Sequence, residues 1–304
     1  MIDIIASFCQ EANIPTFREE PLSAHTTFRI GGAADLFCEV TDKDNLRRLL
    51  EELQAEGLPF ILLGRGSNVL FSDAGYRGVV IHVGNGMDDI RLLEDGTVYC
   101  ESGARLIDLC GFALEHSLTG LEFAYGIPGS VGGAIYMNAG AYGGEISNVI
   151  ERVDHLTMSG EEGYFDRDNL RFSYRHSAYC SDEYAIVAGY FRLNQGSKKE
   201  IQAKMLDIMN RRKEKQPLDY PSAGSTFKRP AGEYASELID RCGLKGLSVG
   251  GAAVSEKHAG FVINRGGATS KDVLELISLV TRIVEEKTGI RLEPEVKLIG
   301  DGDE

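Results

Sequence analysis

The stretch Phe60-Ile61-Leu62-Leu63-Gly64-Arg65-Gly66-Ser67-Asn68 decides how the first half of the chain is read. Four consecutive apolar residues make a short strand. The strand runs directly into two glycines one residue apart. In such a loop backbone N–H groups can converge, and the missing Cβ atoms let a phosphate come close. A dinucleotide fingerprint would need a third glycine at position 69, which is Val69. No G-x-x-x-x-G-K-[ST] occurs anywhere, which excludes a P-loop NTPase. Taken alone, 64–68 reads equally well as a tight turn.

Outward from this loop the pattern alternates. Upstream, Leu46, Leu49, Leu50 and Leu53 recur at helical spacing and predict an amphipathic helix over 42–56, with Thr41 as cap and Gly57 as its close. Downstream, strands are expected at 79–83 and 97–101 and a helix at 105–117. A dense glycine tract follows, Gly126-Ile127-Pro128-Gly129-Ser130-Val131-Gly132-Gly133-Ala134 and then Asn138 to Gly144. Each glycine costs a helix up to about 1 kcal/mol, so no ordinary long helix is expected there. Two glycine loops, each near a strand, favour a ligand with a long diphosphate. Strands follow at 149–158 and 184–193, then a helix from Lys199 to about Lys213. Gln216-Pro217 ends that helix and marks the main domain boundary. A last helix over 272–287 has Thr269 or Ser270 as cap and Gly289 as its close.

A chain of 304 residues suggests about two domains. Lys plus Arg number 32 and Asp plus Glu 46, a net charge of −14. That excess repels nucleic acid and anionic lipid, so neither is an expected partner. No apolar run approaches the ~18 residues of a membrane span, and MIDIIASFCQEAN lacks a basic n-region, so a soluble cytoplasmic protein is expected. The six cysteines form no CxxC pair and have no histidine at metal-finger spacing. Buried reduced thiols are expected, and no metal site.

Four further features carry possible chemistry. Arg175, in Tyr174-Arg175-His176-Ser177, can clamp a carboxylate, although a surface salt bridge is the commoner use. Pro221 to Lys228 is a polar loop without the G-x-S-x-G of a nucleophile elbow. Arg211, Arg212, Lys213 and Lys215 could guide an anion or simply suit a helix C-terminus. Glu293 and Glu295 share one face if 292–299 is a strand.

Together the motifs resemble one family, the UDP-N-acetylenolpyruvoylglucosamine reductases, also called UDP-N-acetylmuramate dehydrogenases. The likeness rests on seven stretches in the family's order: HTTFRIGGAADLF (25–37), LGRGSNVLFSD (63–73), GLEFAYGIPGSVGGAIYMNAGAYGGEI (120–146), FSYRHS (172–177), KQPLDYPSAGSTFKRP (215–230), HAGFVIN (258–264) and LEPEVKLIG (292–300). It implies an α+β chain: a two-lobed FAD-binding unit of the vanillyl-alcohol-oxidase type (lobes 1–83 and 84–214), then a smaller α+β substrate domain (215–304) whose C-terminal strand returns to the active site. Only 177–182 separates FSYRHS from the next strand, which resembles the short form lacking an inserted substrate-capping loop.

The resemblance implies FAD as cofactor, held by Gly64, Arg65, Gly66, Ser67 and Asn68 and by Gly126, Ile127, Pro128, Gly129, Ser130, Gly132, Gly133 and Ala134. It implies NADPH as co-substrate and a UDP-sugar enolpyruvyl ether as substrate. Arg175 and Glu295 would flank the substrate carboxylate, and Ser225 would supply the proton to C2. Arg211, Arg212, Lys215 and Lys228 would contact the substrate diphosphate. Another FAD oxidoreductase of the same fold, or a nucleotide-sugar-binding regulator without chemistry, would share the loops but has no need of SAGSTF and LEPEV. The oligomeric state stays open.

Overall fold

The computed structural model describes residues 1–300; the last four residues of the expected substrate domain lie outside the described residues. The chain forms two compact units, neither contiguous. The first comprises Met1–Phe17, Leu36–Arg65 and Gly78–Arg211. The second comprises Arg18–Asp35, Gly66–Arg77 and the chain from Arg212 onward.

The first unit contains two cores. In one, the helix Lys43–Glu56 turns Leu46, Leu49, Leu50 and Leu53 onto Leu36, Cys38, Val79 and Ile81, with Ile5 and Cys9 of the N-terminal helix Ile2–Glu11 added. Asp42, not the expected Thr41, caps the helix: its carboxylate accepts the Asn45 N–H at 2.7 Å. Aspartate is the better cap because its oxygen is charged and freely placed. Gly57 closes the helix at φ +63°. The strand Phe60–Leu63 lies parallel to Tyr76–Val83, with Leu63 opposite His82.

The second core lies under a five-stranded antiparallel sheet. Its order is Glu162–Asp166, Ile150–Thr157, Tyr184–Phe191, Val98–Glu101, Ile90–Leu92. Against it pack Leu106, Leu109, Cys110 and Ala113 of the helix Leu106–Glu115. Val131, Ala134 and Ile135 join them from the helix Val131–Tyr136. The glycine tract forms only that six-residue helix and a short hairpin in which Gly140–Ala141 pairs with Gly144–Glu145.

The second unit has a three-stranded antiparallel sheet, Ser248–Val249, Ala252–Val254 and Val262–Asn264. The helices Ala235–Arg241 and Ser270–Thr288 cover it. Thr269 caps the longer helix in a reciprocal box with Asp272, and Gly289 closes it at φ +73°.

The contiguous division 1–83, 84–214 and 215–304 differs from these units. Residues 18–35 and 66–77 belong with the C-terminal part, and the reason is burial. Phe28, Ile30 and Leu70 sit in one core with Leu238, Ile239, Val273, Leu276 and Val280. The C-terminal strand Lys297–Ile299 also pairs in parallel with Val69–Phe71, the strand that leaves the glycine loop.

Candidate active site

In the first unit Gly64, at the start of the first glycine loop, meets Ser130 of the second. A Cβ on Gly64 would lie 2.4 Å from the Ser130 Oγ, so only glycine fits there. The Ser130 hydroxyl is already committed, since it caps the helix Val131–Tyr136 by accepting the Gly133 N–H at 3.2 Å. Segments 104–106 and 129–131 run antiparallel beside it. The Leu106 N–H donates to the Gly129 oxygen, and the Val131 N–H to the Ala104 oxygen.

The loops differ in the donors they offer. In the tract, the N–H groups of Ile127, Gly129, Val131, Gly132, Gly133 and Ala134 all donate to protein oxygens. Its glycines therefore supply shape more than donors. Among the described residues, the N–H groups of Arg65, Gly66 and Ser67 find no protein acceptor, and neither does that of Ser130. Gly66 and Ser130 are buried. Buried N–H groups left without partners are rare, and a run of them suits an anion with several oxygens. Within the first unit the N–H groups of Arg65 and Ser130, beside the close-packed Gly64, fit the diphosphate of FAD.

Arg175 also belongs to the first unit, at the tip of a tight turn. Ser173 and His176 exchange backbone hydrogen bonds at 3.1 and 3.2 Å. The Arg175 Nη2 donates to the Gly140 oxygen at 3.3 Å, and the guanidinium lies over the Tyr174 ring at 5.0 Å.

In the second unit the segments that carry Ser225 and Glu295 lie side by side. The Glu295 N–H donates to the Thr226 oxygen at 2.8 Å, and the Lys228 N–H to the Glu293 oxygen at 2.8 Å. Phe227 pairs with Pro294 between them. On its other side, the buried Thr226 donates its N–H to the Gly260 oxygen and accepts the Val262 N–H on its hydroxyl. SAGSTF is thus held between HAGFV and LEPEV, with Ser225 exposed and Glu295 half-buried. The Asn68 Nδ2 donates to the Glu295 oxygen at 3.3 Å, and the Lys297 N–H to the Asn68 oxygen. The end of the glycine loop therefore adjoins the residue expected beside the substrate carboxylate. That juxtaposition needs the long-range pairing of 297–299 with 69–71.

The four expected diphosphate cations divide between the units. Arg211 belongs to the first unit, pairs with Asp207 at 3.6 Å and stacks on Tyr142 at 4.6 Å. Arg212 belongs to the second unit and is buried. Lys215 ends the helix Lys198–Lys215 exposed. Lys228 pairs with Glu293 at 3.4 Å. Sequence reasoning also passed over Asp73, which binds the start of the helix Ser270–Thr288, and Asn138, which joins three segments of the first unit. Neither carries a spacing signal, because each acts through residues distant in the chain.

Comparisons with known proteins show the family. Residues 34–163 match the model of an FAD binding domain, and residues 216–299 match that of the UDP-N-acetylenolpyruvoylglucosamine reductase C-terminal domain. The reductase of Caldanaerobacter subterraneus is 45% identical over 99% of this chain and 98% of its own. That of Lachnoclostridium phytofermentans is 48% identical over 93% and 92%. The crystal structure of the Thermus caldophilus reductase superposes with a TM-score of 0.80 at 34% identity, covering 94% of this chain and 98% of that one. The α+β architecture, an FAD-binding unit followed by a smaller C-terminal domain, is that of these relatives. With such identity over nearly the whole of both chains, this protein belongs to the UDP-N-acetylenolpyruvoylglucosamine reductase family.

Proposed function

We propose that the chain uses NADPH to reduce the enolpyruvyl group of its UDP-sugar, with Arg175, Ser225 and Glu295 as the groups that act on the substrate. As a member of its family it is an FAD-dependent reductase of peptidoglycan precursor synthesis. FAD, held by the loop 64–68 and Ser130, would supply the hydride chemistry between the nicotinamide and C3 of the enolpyruvyl double bond. The remaining work falls to side chains.

Arg175 pairs with the substrate carboxylate. Negative charge grows at the adjacent C2 as the hydride arrives at C3, so this interaction strengthens towards the transition state. Glu295 hydrogen-bonds the same region. The Ser225 hydroxyl gives its proton to C2. A serine is a weak acid, but a carbanion-like carbon is basic enough to take that proton. The loop 64–68 and Ser130 hold the cofactor diphosphate. Arg211, Arg212, Lys215 and Lys228 serve the substrate diphosphate, with the exposed Lys215 best placed and the buried Arg212 least.

The observation that carries this reading is the backbone bond from Glu295 to Thr226, which sets the expected acid and the expected carboxylate on adjacent segments beside Asn68. The test separates the two half-reactions. Ser225→Ala should leave flavin reduction by NADPH within twofold of the parent and slow flavin reoxidation by the enolpyruvyl sugar by about 100-fold or more. Equal slowing of both halves would remove Ser225 from the proton-transfer step.

A further inference from the structure

Arg175 has φ +55°, in the left-handed region. That costs an L-residue roughly 1–2 kcal/mol, and glycine or asparagine would serve the turn more cheaply. A strained turn of this kind persists only where its surroundings hold it.

Asn138 supplies the hold. It is fully buried, and both ends of its amide are used. Its Nδ2 donates to the Ser173 oxygen at 3.1 Å, at the base of the turn. Its Oδ1 accepts the Ser147 N–H at 3.0 Å. Asn138 lies two residues before Gly140, whose oxygen receives the Arg175 guanidinium. The far side of the turn is fixed to the same stretch, because the buried Ser177 hydroxyl donates to the Tyr136 oxygen at 2.8 Å. The exit of the glycine-tract helix therefore grips the arginine turn on both sides and takes its guanidinium as well.

We infer that Asn138, helped by Ser177, is a positioning residue that holds the Tyr174-Arg175 turn so that Arg175 meets the substrate carboxylate. This rests on the reading of Arg175 given above. The side chain must donate at one end and accept at the other. Aspartate has the same size and can still accept from Ser147. It cannot donate to Ser173, and it sets an oxygen against the carbonyl instead.

The experiment uses the FAD-loaded enzyme and reads the half-reactions separately in rapid mixing. Asn138→Asp should reduce its flavin with NADPH within twofold of the parent rate. Its reoxidation by the enolpyruvyl sugar should slow roughly tenfold, the usual effect of one buried hydrogen bond turned unfavourable. Ser177→Ala should shift the same step in the same direction by less, and it decides the matter if Asn138→Asp does not fold. Arg175→Lys is the reference. If Arg175→Lys leaves reoxidation unchanged, the reading of Arg175 itself fails. If Arg175→Lys slows reoxidation while Asn138→Asp and Ser177→Ala do not, the positioning role is overturned. Equal slowing of both half-reactions by Asn138→Asp would also overturn it, leaving Asn138 a purely structural residue.

Discussion

Asp73 and Ser270 lie 197 positions apart and hold each other's backbone. The Asp73 carboxylate accepts the Ser270 N–H at 2.9 Å and the Ser270 hydroxyl at 2.8 Å, while the Asp73 N–H lies 3.0 Å from that same hydroxyl oxygen. A third contact comes from the Lys271 N–H at 3.3 Å. The carboxylate thus serves the first turn of the helix Ser270–Thr288, where donors lack partners and the macrodipole favours negative charge. Through Asp73 the strand Val69–Phe71, and with it the end of the glycine loop, is tied to the longest helix of the second unit.

Ser270→Ala should therefore cost about 1–3 kcal/mol, since it removes a buried hydroxyl and strips the Asp73 N–H of its acceptor. Denaturant unfolding of the purified protein checks this. A change below about 0.5 kcal/mol would mean that the loop is held by the Leu70 and Phe71 side chains alone.

Gly64 and Ser130 give a steric prediction for the cofactor. A methyl group on Gly64 would overlap the Ser130 Oγ at 2.4 Å. Gly64→Ala should therefore be purified with well under half the flavin of the parent, read from its visible absorbance. Ser130→Gly in the same chain removes the clashing oxygen, at the cost of only a few tenths of a kcal/mol in the lost cap. The double variant should hold more flavin than Gly64→Ala alone. If it holds no more, the overlap with Ser130 is not the cause.

This pair also shows what could be read before folding and what could not. The loops were legible because glycine is the residue a close approach demands, and Gly64 does meet Ser130. The helices were legible because four leucines at helical spacing can face only one core. The pairing of units was not. Phe28, Ile30 and Leu70 look like any apolar residues of a first domain, and no local pattern says that their core lies beyond Arg212. Asn138 reads in sequence as part of the glycine tract, and only the turn that returns at 173–177 reveals its bonds. The Asp42 cap was missed by one residue, since Thr and Asp are both good caps and adjacent in sequence.

Acid sensitivity should enter in two separate windows. His155 is buried among Phe165, Tyr179 and Tyr184, with its Nδ1 3.0 Å from the Tyr179 hydroxyl. Burial pushes its imidazole below the ordinary 6.5, and Asp154 opposes this only in part. The unfolded chain therefore takes up the proton first. Stability is complete above about pH 6.5 and falls as pH drops through that value. His258 is shifted the same way by burial and adds to the effect. Glu122 acts lower down. Burial would raise its carboxyl, but the Thr119 hydroxyl, the Gly120 N–H and Lys204 outweigh that and leave it below the ordinary 4.5. Its contribution is present above about pH 4.5 and lost below. Melting temperatures from pH 8 to pH 4 should fall in both windows. Glu122→Gln should flatten only the lower one and His155→Gln only part of the upper. A His155→Gln curve parallel to the parent between pH 7 and 5.5 would refute the histidine assignment.

The thiols offer a direct probe of how tightly the first unit is closed. Cys9 of the helix Ile2–Glu11 and Cys38 of the strand Ala33–Val40 are fully buried, with sulfurs 3.8 Å apart. Cys100 and Cys110 are buried too; desolvation pushes the Cys110 thiol up to about 12 and the Cys100 thiol well above its usual range. Cys242 is buried in the second unit, and Cys180 alone is partly exposed. Thiolate and access both govern reaction with an aromatic disulfide reagent, and burial removes both. At pH 8 the folded protein should release about one equivalent of thiol within minutes, abolished by Cys180→Ser, and six in denaturant. Two further fast equivalents from the folded chain, one of them lost in Cys9→Ser, would show instead that the N-terminal helix opens. That helix starts without a side-chain cap, and Cys9 is its deepest anchor beside Ile5, so opening it would uncover Cys38 as well. The added release would then come as a pair of thiols rather than one.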